Sequence, residues 1–125
     1  MLNKIMLIGN LGRDPELQVT AEGTPVTKFS LAVNRKYKTG TGELKEETEW
    51  FTIVTWRQLA EICERYLHKG SKVYIEGRLT QRKYTDKSGA ERIAVEVIAS
   101  DMQMLSPKQA EAPLTEVSDP FLPEL

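Results

Sequence analysis

Two tryptophans stand close together in the stretch Thr48-Glu49-Trp50-Phe51-Thr52-Ile53-Val54-Thr55-Trp56. In an extended strand, side chains alternate between two faces, so Trp50, Thr52, Val54 and Trp56 share one face and Phe51, Ile53 and Thr55 the other. Phe51 and Ile53 suffice for a core, which leaves two indoles on the opposite face. A single indole there would be ordinary as cover beneath a helix or another subunit, since tryptophan is highly buried on average. Two on one face, beside a second segment of the same character, point to a ligand surface. That second segment is Lys72–Tyr84. Its apolar face is Val73, Ile75, Gly77 and Leu79, and its other face is Lys72, Tyr74, Glu76, Arg78, Thr80, Arg82 and Tyr84. Aromatic faces stack on unpaired nucleobases, at roughly 1–3 kcal/mol per base, while cationic groups follow phosphates. Every base has such a face, so a surface of this kind tolerates any sequence.

Two basic clusters extend the platform. Arg35, Lys36, Tyr37 and Lys38 stand at the mouth of one polar loop, and Arg82, Lys83 and Tyr84 at the base of another. A basic cluster is usually a solvated face. Here each contains a tyrosine, from which a fully solvated hairpin gains little, and two matching arms suit a nucleic-acid strand passing over the domain.

Catalytic and metal chemistry find no matching set of residues. His68 is the only histidine and is expected in the last turn of a helix, where it favours the helix C-terminus. Cys63 lies on that helix's apolar stripe and reads as core filling. One Cys and one His do not make a usual zinc site. Glu43, Glu46, Glu47 and Glu49 suggest a metal site or an acid–base pair. They lie in and beside a polar hairpin, with adjacent members on opposite faces, so a solvated charge run is the better reading. Gly9-Asn10-Leu11-Gly12 lacks the pattern and the following helix of a phosphate-binding loop. An enzyme is the weakest reading, and no cofactor or metal is expected.

The elements that must position these side chains are five strand-like segments and one helix. The first, about Asn3–Gly12, continues after a bend into Glu16–Thr20, with Gly9, Gly12 and Pro15 marking kinks or bulges. The second, about Val26–Tyr37, sets Phe29, Leu31 and Val33 against Ser30, Ala32 and Asn34. The polar Lys38–Gly42 loop joins it to the third, about Glu47–Trp56, as in a hairpin. Leu59, Ile62, Cys63, Tyr66 and Leu67 then fall at helical spacing as one apolar stripe, with Lys69 and Gly70 as C-terminal signals. The fourth strand, about Lys72–Tyr84, and the fifth, about Arg92–Leu105, flank a turn at Asp86-Lys87-Ser88-Gly89. Three strands, a helix and two strands is the connectivity of the OB-fold, a small, partly open, five-stranded Greek-key barrel.

The 125 residues suit one domain and a short appendage. No apolar run is long enough to cross a bilayer or to serve as a secretory signal, so a cytoplasmic, nucleoid-associated protein is expected. The single cysteine fits a reducing compartment. Net charge is −1 overall, but Leu105–Leu125 carries one Lys against Glu111, Glu116, Asp119 and Glu124, leaving 17 − 1 = 16 basic and 18 − 4 = 14 acidic residues before it. A body this mildly basic would bind weakly by charge alone, so stacking must contribute. After Met104 the prolines at 107, 113, 120 and 123 interrupt every element. The expected division is a folded domain over 1–105 and a flexible acidic tail over 106–125.

The same chain resembles the bacterial single-stranded DNA-binding protein family over nearly all of residues 1–105. The resemblance is carried by Asn3-Lys4, Leu7–Gly12, Asp14-Pro15-Glu16, Thr48-Glu49-Trp50, Leu59-Ala60-Glu61, Tyr66-Leu67, Lys69-Gly70-Ser71, Val73–Gly77 and Met102–Leu105. It implies an OB-fold, a homotetramer, and wrapping of single-stranded DNA with little sequence preference, protecting it in replication, recombination and repair. It assigns base stacking to aromatics on the third strand and in both hairpins. Carried over, these are Trp50, Trp56, Tyr84 and Tyr37, with Arg82 and Lys83 matching basic positions beside the hairpin aromatic. Arg35, Lys36, Tyr74 and Arg78 rest on the strand pattern. Many relatives have Trp in the hairpins and Phe at the end of strand three, where this chain has Tyr and Trp56. The tail departs further. Relatives end in acidic residues and Pro-Phe, a docking site for replication and repair proteins, whereas here Asp119-Pro120-Phe121 is followed by Leu122-Pro123-Glu124-Leu125.

Two other binding proteins share such a fold. An accessory protein of primosome type, for which DNA is secondary, does not need a row of stacking aromatics. An RNA binder of the translation apparatus is disfavoured by the mild charge and by the long matching series.

Overall fold

A computed structural model describes residues 1–106. The expected tail, with Asp119, Pro120 and Phe121, lies outside the described residues except for Ser106.

The bent first segment is two strands, β1 (Ile5–Leu11) and β2 (Glu16–Val19). Then come β3 (Pro25–Lys38), β4 (Leu44–Trp56), the helix α1 (Arg57–Tyr66), β5 (Lys72–Thr85) and β6 (Glu91–Met104). The strands run in the order β1-β5-β6-β4-β3-β2, and β1 closes the sheet by meeting β3 at Asn10↔Ala32 and Leu11↔Leu31. β4 and β6 run parallel over Thr52–Val54 and Glu96–Ile98, while every other pairing is antiparallel. With β1 and β2 counted as one bent strand, this is the expected five-stranded OB-fold barrel with a helix after the third strand.

Alternation builds the interior. Leu11, Phe29, Leu31, Ile53, Val73, Ile75, Val97 and Ala99 pack together with Cys63 and Leu67 from the helical connection. Gly77 sits where β5 and β6 slip register by one residue, and the regular inward face of β5 ends there. Leu79, expected in the core, is exposed, because β5 has by then left the barrel and become one side of a long arm.

The helix also buries less than its stripe promised. Ala60 and Cys63 are fully buried, but Ile62 and Tyr66 are exposed, because α1 lies against β3 and β4 along a narrow face. Leu67 is buried only after the chain has turned extended at the helix C-cap. His68 therefore lies beyond the helix rather than in its last turn. Gly70 belongs to a turn in which the Ser71 N–H donates to the His68 carbonyl at 2.9 Å. One buried hydroxyl pins α1 to the sheet, Thr27 Oγ1 donating to the Ala60 carbonyl at 2.9 Å, and a second ties the end of β4 to β3, Thr55 Oγ1 donating to the Thr27 carbonyl at 3.1 Å. Each is worth about 1 kcal/mol, and more if its partner were left unpaired. Together they fix the β4–α1 junction, where Trp56 stands.

Candidate nucleic-acid interface

On β4, Ile53 and Thr55 are buried and Phe51 half-buried on the inward face, while Trp50, Thr52 and Trp56 stand exposed on the outward face. Val54 shares the outward face but is only 2% exposed, so the row is interrupted. Trp50 and Trp56 are six residues of strand apart, about 20 Å. They are two separate exposed rings. Trp50 is 60% exposed and Trp56 42%. The neighbours of Trp50 are small. Ala32 is directly opposite on β3, and Gly12 lies beneath the ring, where a Cβ would come within 2.6 Å of Trp50 Cζ3. Trp56 occupies the N-cap of α1 in extended conformation, and Arg57 follows with φ 59°. That left-handed backbone costs a non-glycine residue about 1–2 kcal/mol. It places an exposed cation directly after the indole.

The arm formed by β5 and β6 carries Arg78, Thr80, Arg82 and Tyr84 on its outward side, opposite Ile98, Glu96, Ala94 and Arg92. Arg82 lies over the Tyr84 ring at 5.6 Å from its centroid, and Tyr84 is 42% exposed. Arg82 also pairs with Glu96 at 3.2 Å. Lys83, opposite Ile93, points to the reverse side of the same ribbon. At the tip, Asp86 accepts hydrogen bonds from the Ser88 hydroxyl at 2.6 Å, the Ala90 N–H at 3.1 Å and the Arg92 guanidinium at 2.8 Å. Those donors hold its carboxyl down at a pKa of about 2, the Ser88 hydroxyl contributing most.

The β3–β4 arm is different. Its register runs unbroken from Val26↔Trp56 to Lys38↔Leu44, so side chains facing one another share a side throughout. Lys36, opposite Glu46, lies on the side of Trp50. Arg35 and Tyr37, opposite Glu47 and Lys45, continue the side of Phe29, Leu31 and Phe51. Arg35 lies over the Tyr37 ring at 4.9 Å and pairs with Glu47.

Tyr74 is elsewhere. It sits opposite Ile8 and Gln103 in the β1–β5–β6 part of the sheet, eight residues or about 27 Å of strand from Arg82. Its hydroxyl donates to Glu76 Oε1 at 2.6 Å, which raises the Tyr74 pKa and lowers that of Glu76.

Of the ten residues singled out from the sequence, Trp50, Trp56, Lys36, Arg78, Arg82 and Tyr84 thus share the outward face. Arg35, Tyr37 and Lys83 lie on the reverse of their ribbons, and Tyr74 lies on a separate patch. Gly12, Lys28, Arg57 and Glu96 also bear on this face, and the sequence pattern marks none of them as a site residue. Strand alternation already put Lys28 with Ser30 and Ala32. What it did not reveal was the parallel pairing of β4 with β6, which brings Glu96 beside Thr52.

Other chemistry has little to work with. Cys63 is fully buried, and burial raises its thiol to a pKa of about 11 against a smaller opposing effect of the Thr55 hydroxyl. Such a thiol stays protonated and unreactive at neutral pH. Among the described residues no group of His, Cys, Asp and Glu is placed to hold a metal, and no helix is long and apolar enough to cross a membrane.

Comparison with known proteins agrees with this geometry. The single-stranded DNA-binding protein 1 of Chlorobaculum tepidum is 51% identical over 110 residues, covering 87% of this chain and 68% of that protein. The single-stranded DNA-binding protein of Neisseria meningitidis serogroup A is 47% identical over 104 residues, covering 83% of this chain and 60% of the relative's length. Among solved structures, a Plasmodium falciparum SSB in complex with ssDNA superposes with a TM-score of 0.79 at 36% identity, covering 85% of this chain and 96% of that one. The model of the single-strand binding protein family matches residues 2–105, and the chain belongs to that family.

Proposed function

We propose that this protein holds single-stranded DNA by stacking unpaired bases on Trp50, Trp56 and Tyr84 while Arg78, Arg82 and Lys36 follow the phosphates. The observation that carries the reading is the pair of indoles left open on the outward face of β4, 60% and 42% exposed. An indole confined to packing would be covered. Base stacking on that face needs no sequence match, so the ligand is any unpaired stretch exposed in replication, recombination or repair. On a body of +2 charge, stacking supplies what phosphate contacts alone do not. Poly(dT) is expected to quench the tryptophan fluorescence. Trp50→Ala and Trp56→Ala are each expected to weaken binding by about 1–3 kcal/mol, with His68→Ala unchanged. Equal and negligible effects of all three would end the stacking account.

The protein acts as a homotetramer. Supporting this, β1 meets β3 only at Asn10 and Leu11, so one edge of Ile5–Ile8 has no strand partner among the described residues. Met6 and Ile8 beside it are 62% and 52% exposed. An open edge next to exposed apolar side chains invites a second copy. Asp119, Pro120 and Phe121 recruit replication and repair proteins in the cytoplasm, at the nucleoid. Truncation after Ser106 separates the two roles. Light scattering of the shortened chain should still show the tetramer while pull-downs lose the partners; a monomer, or an unchanged set of partners, would contradict one role or the other.

A further inference from the structure

Glu96 occupies the middle of the outward face. It lies opposite Thr80 on β5 and opposite Thr52 on β4, and the Thr80 hydroxyl donates to its backbone carbonyl at 3.2 Å. Its side chain is only 13% exposed, and one carboxylate oxygen serves two cations from different strands: Arg82 at 3.2 Å and Lys28 at 3.9 Å. Both cations are about half-exposed, at 53% and 50%. The carboxylate therefore lies underneath, and the cationic groups stand above it, open to anything that settles on the face. The patch offers +2 − 1 = +1 to an approaching phosphate. A phosphate oxygen would make charge-assisted hydrogen bonds of the same kind that the carboxylate already makes.

We propose that Glu96 is a built-in competitor of DNA phosphate, and that by masking Arg82 and Lys28 it sets the preference for single-stranded over duplex DNA. The inference rests on the stacking reading given above. A duplex offers phosphates but no free bases, so on a masked patch it gains little. A single strand adds stacking on Trp50, Trp56 and Tyr84 and binds despite the mask. The competition also keeps the phosphate contacts exchangeable, so a bound strand stays mobile over the surface.

The test is Glu96→Gln, which keeps the size and hydrogen-bonding reach of the side chain and removes its charge. The full chain is titrated with a dT oligonucleotide and with a duplex of equal length across a salt series. Single-strand affinity is expected to rise by about threefold at moderate salt, with the slope of log K against log salt steeper by about 0.7 for one phosphate gained. Duplex affinity should rise by a larger factor, so selectivity falls. Arg82→Gln should weaken binding in both backgrounds, by a larger factor in the Glu96→Gln background, where it abolishes the gain. Unchanged or weaker binding at an unchanged slope would overturn the proposal and leave Glu96 as a residue that merely orders its neighbours. Should Glu96→Gln fail to fold, Arg82→Gln is compared with Arg78→Gln, since Arg78 has no ion-pair partner among the described residues. Equal losses of slope would overturn the idea, and a smaller loss for Arg82→Gln would support it. Trp50→Ala run alongside separates the failures: retained binding there defeats the stacking reading, whereas loss there with no effect at Glu96 defeats only this proposal.

Discussion

The two arms of the barrel carry the same local motif and aim it in opposite directions. Arg35-Lys36-Tyr37 on β3 and Arg82-Lys83-Tyr84 on β5 each stack a guanidinium over a tyrosine two residues on, at 4.9 and 5.6 Å. Each arginine also pairs with a carboxylate on the partner strand, Glu47 and Glu96 respectively. The two tips are alike as well, with Gly42 and Gly89 in left-handed conformation closing loops that start at Thr39 and Asp86. Yet counting along β3 from Phe29 and Leu31 reaches Arg35 and Tyr37 on the inward side, whereas counting along β5 from Ile75 and Gly77 reaches Arg82 and Tyr84 on the outward side. One residue of parity decides whether a cation–tyrosine pair shares the face of Trp50. What a cluster contains and where it points are separate questions.

Loss of the ring tests this most directly. Tyr84→Ala is expected to weaken single-stranded DNA binding by about 1–3 kcal/mol, the worth of one stacked base, and Tyr37→Ala by clearly less. Equal losses, measured by fluorescence titration at one fixed salt concentration, would mean that the strand contacts both sides of the β3–β4 ribbon and that parity does not govern the arms. A finer version keeps composition and charge constant. The double exchange Lys36→Tyr with Tyr37→Lys moves the ring to the side of Trp50, and binding should tighten by about 1 kcal/mol, the lower end of the stacking range. No gain would show that the DNA does not reach that far along the arm.

The same contrast explains what the sequence disclosed. The barrel was legible because Phe29, Leu31, Ile53, Val73 and Ile75 alternate cleanly with polar or outward residues, and a half-buried strand has few other ways to read. Trp50 and Trp56 were legible for the same reason. Alternation also predicted the buried Val54 as an outward residue, since it reports the side of a sheet and not what covers that side. Tyr37 was grouped with Tyr84 on composition, although parity from Phe29 already separated them. Tyr74 was grouped with Arg82 by parity alone, although the strand between them is long enough to belong to two surfaces. The role of Glu96 was not legible, because its contacts depend on β6 lying parallel to β4, a pairing between segments some forty residues apart. The Arg57 backbone gave no signal either, for an arginine before a helix carries no mark of positive φ.

The smallest expected effect lies at the two tips, which differ in one chemical respect. In both loops the first side chain accepts a hydrogen bond from the N–H four residues on: Thr39 Oγ1 from Glu43 at 3.2 Å, and Asp86 Oδ1 from Ala90 at 3.1 Å. A hydroxyl does not titrate in this role, but a carboxylate does. Because folding lowers the Asp86 pKa to about 2, its contribution is fully present above the unfolded value of about 4 and is lost as pH falls through about 2. Amide exchange read at low pH should therefore show Gly89 and Ala90 losing protection between about pH 4 and pH 2, while Gly42 and Glu43 hold theirs. Asp86→Thr should make the second tip behave like the first. If both tips loosen together in the native chain, acid is acting on the barrel as a whole. If only the Asp86 tip loosens, the arm that presents Arg82 and Tyr84 is ordered by a carboxylate at its end, and its twin is not.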